Sequence, residues 1–327
     1  MIKKLLIGMR PNASDGAVVI TLISLLFFSS LAAAQGYPIK PIRIYTGDAG
    51  SANDQMTRLI AQSITIPLGQ PVVVENRGAT LAAIATAKAP PDGYTLIFAG
   101  NALWLAPFIE EPQYDPINDF APIAMVVDQP LVAVVHSSLP ANSIKEFIVL
   151  AKAKPGALNY GSSVIGGVLH LAGELLKSMG GLDMVQIPFK GAQAAVTAVL
   201  ANQVAITFAG VGTITPFVNS GRLKPLAITS LKRNPSMPNV PTMSESGLPG
   251  YEMVARNGIL TTGKTPSNIV TRLNKEIVST VRNPEIEKKL LALGTVPNTS
   301  TPEEFRDTII SDMSKMGKLI KESLTQK

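Results

Sequence analysis

Short runs of β-branched and other apolar residues alternate along this chain with stretches whose apolar residues recur every three or four positions. The runs at 42–45, 72–74, 95–99, 123–127, 131–135, 184–187, 204–208 and 226–229 predict strands. The periodic stretches at 54–63, 143–152, 169–179 and 192–201 predict helices. Proline and glycine punctuate the joins, as in Pro90-Pro91-Asp92-Gly93, Pro155-Gly156, Gly180-Gly181 and Leu248-Pro249-Gly250. Strands alternating with helices argue an α/β protein with largely parallel sheets. Towards the C-terminus the helix signals sharpen. Ser267 precedes a helix in which Ile269, Leu273, Ile277 and Val281 fall on one face. Asn283-Pro284 opens a second helix that Gly294 closes. Thr301-Pro302-Glu303-Glu304 forms a capping box, followed by a core-facing stripe of Phe305, Ile309, Met313 and Met316. Internal repeats and low-complexity linkers are absent from the sequence, so two domains would be joined by short crossovers.

Residues 1–34 break this rhythm. Lys3, Lys4 and Arg10 precede an uncharged apolar run at 17–28, and Ala32-Ala33-Ala34 ends it with small residues. That order is the pattern of an export peptide cleaved before Gln35, which predicts a soluble, periplasmic mature protein. A retained membrane anchor is the competing reading, since the apolar stretch reaches the lower edge of spanning length. Met9 offers an alternative start.

The chain has 327 residues, which suits two domains, and 46% of them are hydrophobic against 16% charged. Zero cysteine excludes a disulfide scaffold, a thiolate zinc site and a Cys nucleophile. Two histidines, His136 and His170, argue against a multi-histidine metal site. The formal charge of +6 comes without a basic run, so nucleic acid is not an expected partner. No Gly-x-Ser-x-Gly elbow, Ser-x-x-Lys pair or dinucleotide fingerprint is present. No cofactor is expected.

A different feature recurs: a strand, then a small polar loop with glycine, then a helix. The first loop runs Thr46-Gly47-Asp48-Ala49-Gly50-Ser51-Ala52-Asn53-Asp54, the second runs from Gly161-Ser162-Ser163 to Gly166-Gly167, and the third is Pro188-Phe189-Lys190-Gly191. Loops at the carboxyl ends of parallel strands face one crevice, and helix N-termini there present unpaired amides suited to an anion. Candidate ligand residues are therefore Thr46, Gly47, Asp48, Ser51, Asn53 and Asp54 in the first loop, Asn101 after the third strand, Ser162, Ser163, Gly166 and His170, and Lys190 with Gly191. Each has a purely structural alternative. Ser51, Asp54, Ser162 and Ser163 can cap helices, His170 can be a packing residue, and Lys190 can be simply solvated. Trp104, the only tryptophan, is better placed in a core, and Asn76 with Arg77 shapes a loop.

These loops carry a resemblance. Tyr37-Pro38-Ile39-Lys40-Pro41-Ile42-Arg43, Leu68-Gly69-Gln70-Pro71 running to Asn76-Arg77, Pro91-Asp92-Gly93-Tyr94-Thr95, Tyr114-Asp115-Pro116, Asp119-Phe120-Ala121-Pro122, Lys154-Pro155-Gly156, His170-Leu171-Ala172-Gly173-Glu174, Pro188-Phe189-Lys190-Gly191 and Gly247-Leu248-Pro249-Gly250-Tyr251 occur in order. In this the sequence resembles the solute-binding proteins of tripartite tricarboxylate transporters, the Bug receptor family. The resemblance implies a type II periplasmic binding fold: two α/β lobes with a ligand cleft between them and two crossover strands. One lobe would hold residues 35–135 and 259–327, the other 136–258, with a return crossover over 251–260. It implies no catalysis and no metal, capture of a small organic anion such as a carboxylate, delivery to the membrane permease subunits, and a monomer. The same fold could instead present ligand to a membrane histidine kinase; an exported α/β enzyme is the remaining alternative. The sequence departs from the family pattern at Asp48, Ala49, Ser51 and Ala52, at Val164, at Ala209, and in a shortened loop after Arg77. An inward-facing Asp48 would repel an anion, which predicts a ligand other than an ordinary dicarboxylate.

Overall fold

The computed structural model describes residues 36–163 and 166–325. The export peptide predicted for residues 1–34 lies outside them. Within the unit Lys40–Lys327 the first three strands, β1 (Ile42–Thr46), β2 (Val72–Asn76) and β3 (Thr95–Gly100), are joined by α1 (Ala52–Leu68) and α2 (Ala79–Ala87). A short helix α3 (Asn101–Leu105) leads to the long strand β4 (Phe120–His136). Then α4 (Ile144–Ala153), β5 (Asn159–Ser162), α5 (Val168–Gly180), β6 (Val185–Pro188), α6 (Ala192–Leu200), β7 (Ile206–Gly210), α7 (Val211–Asn219) and β8 (Leu223–Ile228) follow. The chain returns through β9 (Val254–Thr262) and finishes with α8 (Ser267–Val281), α9 (Pro284–Ala292), β10 (Val296–Pro297) and α10 (Pro302–Thr325).

The strands order as β2-β1-β3-β9-β4-β7-β5-β6, with β8 and β10 also paired to β4. Parallel pairing is confined to β1 with β2 and β3, and to β5 with β6 and β7. The pairs that β9 and β4 make are antiparallel, which corrects the expectation of largely parallel sheets. The two outer parts are wound with crossover helices, and the strands between them run against their neighbours.

β4 is one strand of 17 residues where the sequence predicts two. Up to Pro130 the strand pairs with β9; from Leu131 it pairs with β7 and β8. A proline has no N–H to give a ladder, so it fits at the handover between partners. Beyond it the alternation of the strand feeds two cores. Leu131, Ala133 and Val135 join the larger apolar cluster with Phe147, Tyr160 and Phe208, while Val132 and Val134 pack with Val196, Val199 and Ile214.

Hydrophobic periodicity alone does not show α2, α3 or α7. α7 contains Pro216, which reads as a breaker, and α2 (ATLAAIATA) lacks a polar face to set a period. The caps fare better. Thr301 accepts from the Glu304 amide at 3.1 Å and the Glu304 carboxylate accepts from the Thr301 amide at 2.8 Å. Asn283 caps α9 through the Glu285 amide. At α8 the boundary differs by one residue: Pro266 is the cap and Ser267 the first helical position. Trp104 is fully buried, edge-on to Phe305 with ring centres 5.9 Å apart, and donates to Asp312 at 3.2 Å.

Candidate functional site

The first loop is held by buried polar contacts. Thr46 ends β1 with 1% exposure; its hydroxyl lies 2.9 Å from that of Thr57, which also donates to the Asn53 carbonyl at 2.6 Å. Ser51 caps α1 by accepting from the Asp54 amide at 3.2 Å. Asp54 in turn accepts from the Gly50 amide at 2.9 Å and from Asn76 at 2.8 Å, and pairs with Arg58 at 3.0 Å. Asn76 also donates to the Gly47 carbonyl at 2.8 Å. Burial alone would raise the Asp54 carboxyl; the bonds from Arg58, Asn76 and Gly50 outweigh it and hold the group below the ordinary carboxylate value. Asp54 and Asn76 are therefore occupied in shaping the loop. Arg77 lies over the Tyr45 ring and pairs with Glu75.

This scaffold opens onto a cavity of about 350 Å³. Thr46, Gly47 and Asn53 form its rim on one side. Ala79, Thr80, Ala82 and Ala83 of α2, Ile97–Gly100 of β3, and Leu103 of α3 form its body, closed by Ile109, Glu110 and Tyr114. Gly166 and Gly167, at the start of α5, face it from the part of the sheet built on β5. The Tyr114 hydroxyl donates to the Leu103 carbonyl at 3.1 Å and is pushed up to about 12, by burial first and then by the charge of Glu110. Neither Gly78 before α2 nor Gly167 before α5 caps its helix with a side chain, so among the described residues the first-turn amides at Ala79–Thr80 and after Gly167 have no side-chain cap.

Gly166 is needed as glycine for two reasons. Its φ is +78°, and a Cβ there would run into the Ile109 side chain. Its amide donates to His170 Nδ1 at 3.0 Å, which places the proton of the neutral ring on Nε2. His170, 3% exposed, thus holds the loop.

A second cavity, about 240 Å³, adjoins the first and shares Asn53, Gly100, Ala102, Gly166 and Gly167 with it. It reaches Gln129 on β4 and Ala255–Asn257 on β9. Asn101 lines it, although its amide group is bonded to Asp312 at 2.9 Å and its carbonyl accepts from the Arg256 amide at 2.6 Å.

Of the residues singled out from sequence, Thr46, Gly47, Asn53, Asn101 and Gly166 meet at these two cavities. Ser162 is fully buried between the Gln186 amide and the Ser163 carbonyl and lines neither. Ser163 is half-buried off the walls. Asp48, Lys190 and Gly191 are exposed and lie outside both, and Ser51, Asp54 and His170 act on the loops from behind. The expected repulsion by an inward Asp48 therefore has no footing in this geometry. The apolar wall of Ala82, Ala83, Ile97, Phe98 and Leu103 went unread, because such residues look like core. The one signal in the sequence was the uncharged, alanine-rich run that forms α2, ATLAAIATA.

Comparison with known proteins bears on this arrangement. A family model described as the tripartite tricarboxylate transporter family receptor matches residues 56–324. Protein BugT of Bordetella pertussis (strain Tohama I) is 31% identical over 314 residues, covering 94% of this chain and 96% of that protein. The solved structure of the periplasmic binding protein BugD superposes with a TM-score of 0.70 at 31% identity, covering 88% of this chain and 98% of its own. R. palustris Rpa4515 with adipate superposes with a TM-score of 0.72 at 29% identity, covering 87% and 98%.

Proposed function

The chain belongs to the tripartite tricarboxylate transporter receptor family, a family of binding proteins rather than enzymes, and on that premise we propose that it captures an organic acid and hands it to a membrane permease. One observation carries the reading: a single cavity is walled by loops from both ends of the sheet, with uncapped helix N-termini at Ala79–Thr80 and Gly167 on its surface. Main-chain amides with the positive end of a helix dipole suit a carboxylate, and glycines let it come close. The adipate held by Rpa4515 supports an acid as ligand.

In this reading residues 35–135 with 259–327 form one lobe and 136–258 the other, and the protein acts in the periplasm after loss of residues 1–34. A ligand touching both lobes stabilises the closed form, and the permease recognises that form. Thr46, Gly47, Asn53, Asn101 and Gly166 contribute the contacts. The test is a thermal-shift screen of carboxylic acids on the purified protein. Ligand at a hundredfold excess over Kd adds about 2.7 kcal/mol to stability. Silence across all acids would reject the proposal. Capture of membrane subunits with and without ligand then separates permease delivery from presentation to a sensor kinase.

A further inference from the structure

We infer that the preferred ligand is a monocarboxylate with an apolar tail, a medium-chain or aryl acid, whose tail fills the cavity between α2 and β3. The inference rests on the receptor reading above and narrows its ligand class. Three observations carry it. First, the polar groups of the cavity, Thr46, Asn53 and Thr80, sit with the loop and helix ends, whereas the body is Ala82, Ala83, Ile97, Phe98, Leu103 and Tyr114. Second, among the described residues no Lys, Arg or His lines it, and the one formal charge there is Glu110. A second carboxylate at that end would leave water without a cationic partner and beside a like charge. Third, several side-chain donors around the cavity are committed, which leaves Asn53, Thr80 and the helix-end amides at the polar end for one carboxylate. Tyr114 donates to the Leu103 carbonyl, and the Thr46 hydroxyl is paired with that of Thr57. Arg256 in the adjoining cavity pairs with Asp312 at 3.0 Å and Glu252 at 2.8 Å. At about 350 Å³ the space is of small-ligand size.

Calorimetry of the purified protein with acetate, butanoate, hexanoate, octanoate, phenylacetate and adipate tests this. Affinity is expected to climb about fourfold per methylene until the cavity is full. Hexanoate and phenylacetate should bind at least roughly tenfold more tightly than adipate, since adipate must bury a second charge there. Ala83→Leu, which thickens the wall, should weaken hexanoate about tenfold and flatten the chain-length series. Because Ala83 is buried, a melting curve checks that this variant folds, and Ile109→Ala, at an exposed side chain, provides an independent arm by moving the optimum to a longer acid. Adipate binding as tightly as hexanoate, or affinity independent of chain length, overturns the inference and leaves the receptor reading standing. Failure of every acid, adipate included, overturns both.

Discussion

Asp54 and Asp128 are both acids removed from water, and they respond to pH with opposite sign. Asp54 is held below the ordinary carboxylate value, so its stabilisation is present above about pH 3.9 and is lost as pH falls through its own, lower value. Asp128, on β4, has one oxygen bonded to Asn298 and the other buried without a partner. Burial raises it, and Arg256 only partly counters that. The folded protein therefore binds its proton more tightly than the unfolded chain, and its favourable contribution disappears as pH rises through the raised value. Asp128→Asn should melt above the wild type at pH 7, with the difference vanishing near and below about pH 3.9; scanning calorimetry across pH reads this directly. Asn76→Ala should cost about 1–3 kcal/mol in urea titrations, since it strips a bond from buried Asp54 and leaves the Gly47 carbonyl short. Ser51 and Thr301 were legible from sequence because a cap is set within three residues. Ser162 was not: its partner Gln186 lies on a neighbouring strand, and nothing local told the reader which way the hydroxyl turns.

At the level of elements, α10 deserves the closest look, because it closes around the crossover strands. Its Asp312 accepts from Asn101 and Trp104 of α3 and pairs with Arg256 of β9. Arg256 is paired on its other side with Glu252, and both line a cavity shared with Asp128 and Asn298. Asp312→Ala removes one carboxylate partner of a mostly buried guanidinium together with the acceptor of Asn101 and Trp104, and should cost about 3–5 kcal/mol by chemical denaturation. Thr301→Ala, at the exposed start of the same helix, should cost about 1 kcal/mol. The helix itself was readable from its capping box and stripe. Its clamp on Arg256 was not, because the residues involved lie far apart in sequence.

For the whole molecule, the strand–helix alternation and the order of motifs made the fold class readable. What stayed hidden was long-range: β4 as a single shared strand, and a ligand chamber built of residues that look like filler. At Gly166 the loop between β5 and α5 meets Ile109, which follows α3. Gly166→Ala imposes both an unfavourable φ and a collision with Ile109. It should weaken acid binding by tenfold or more, with partial recovery in the Gly166→Ala, Ile109→Ala double variant; calorimetry of the four proteins closes that cycle. Trp104 has a further use. It is the sole indole of the chain, sealed from water and flanked by Leu103 and Leu105, each of which lines one of the two cavities. Ultraviolet emission excited at the red edge therefore originates from one address beside the chamber, and a change in its colour or intensity on adding an acid reports occupancy without any attached dye.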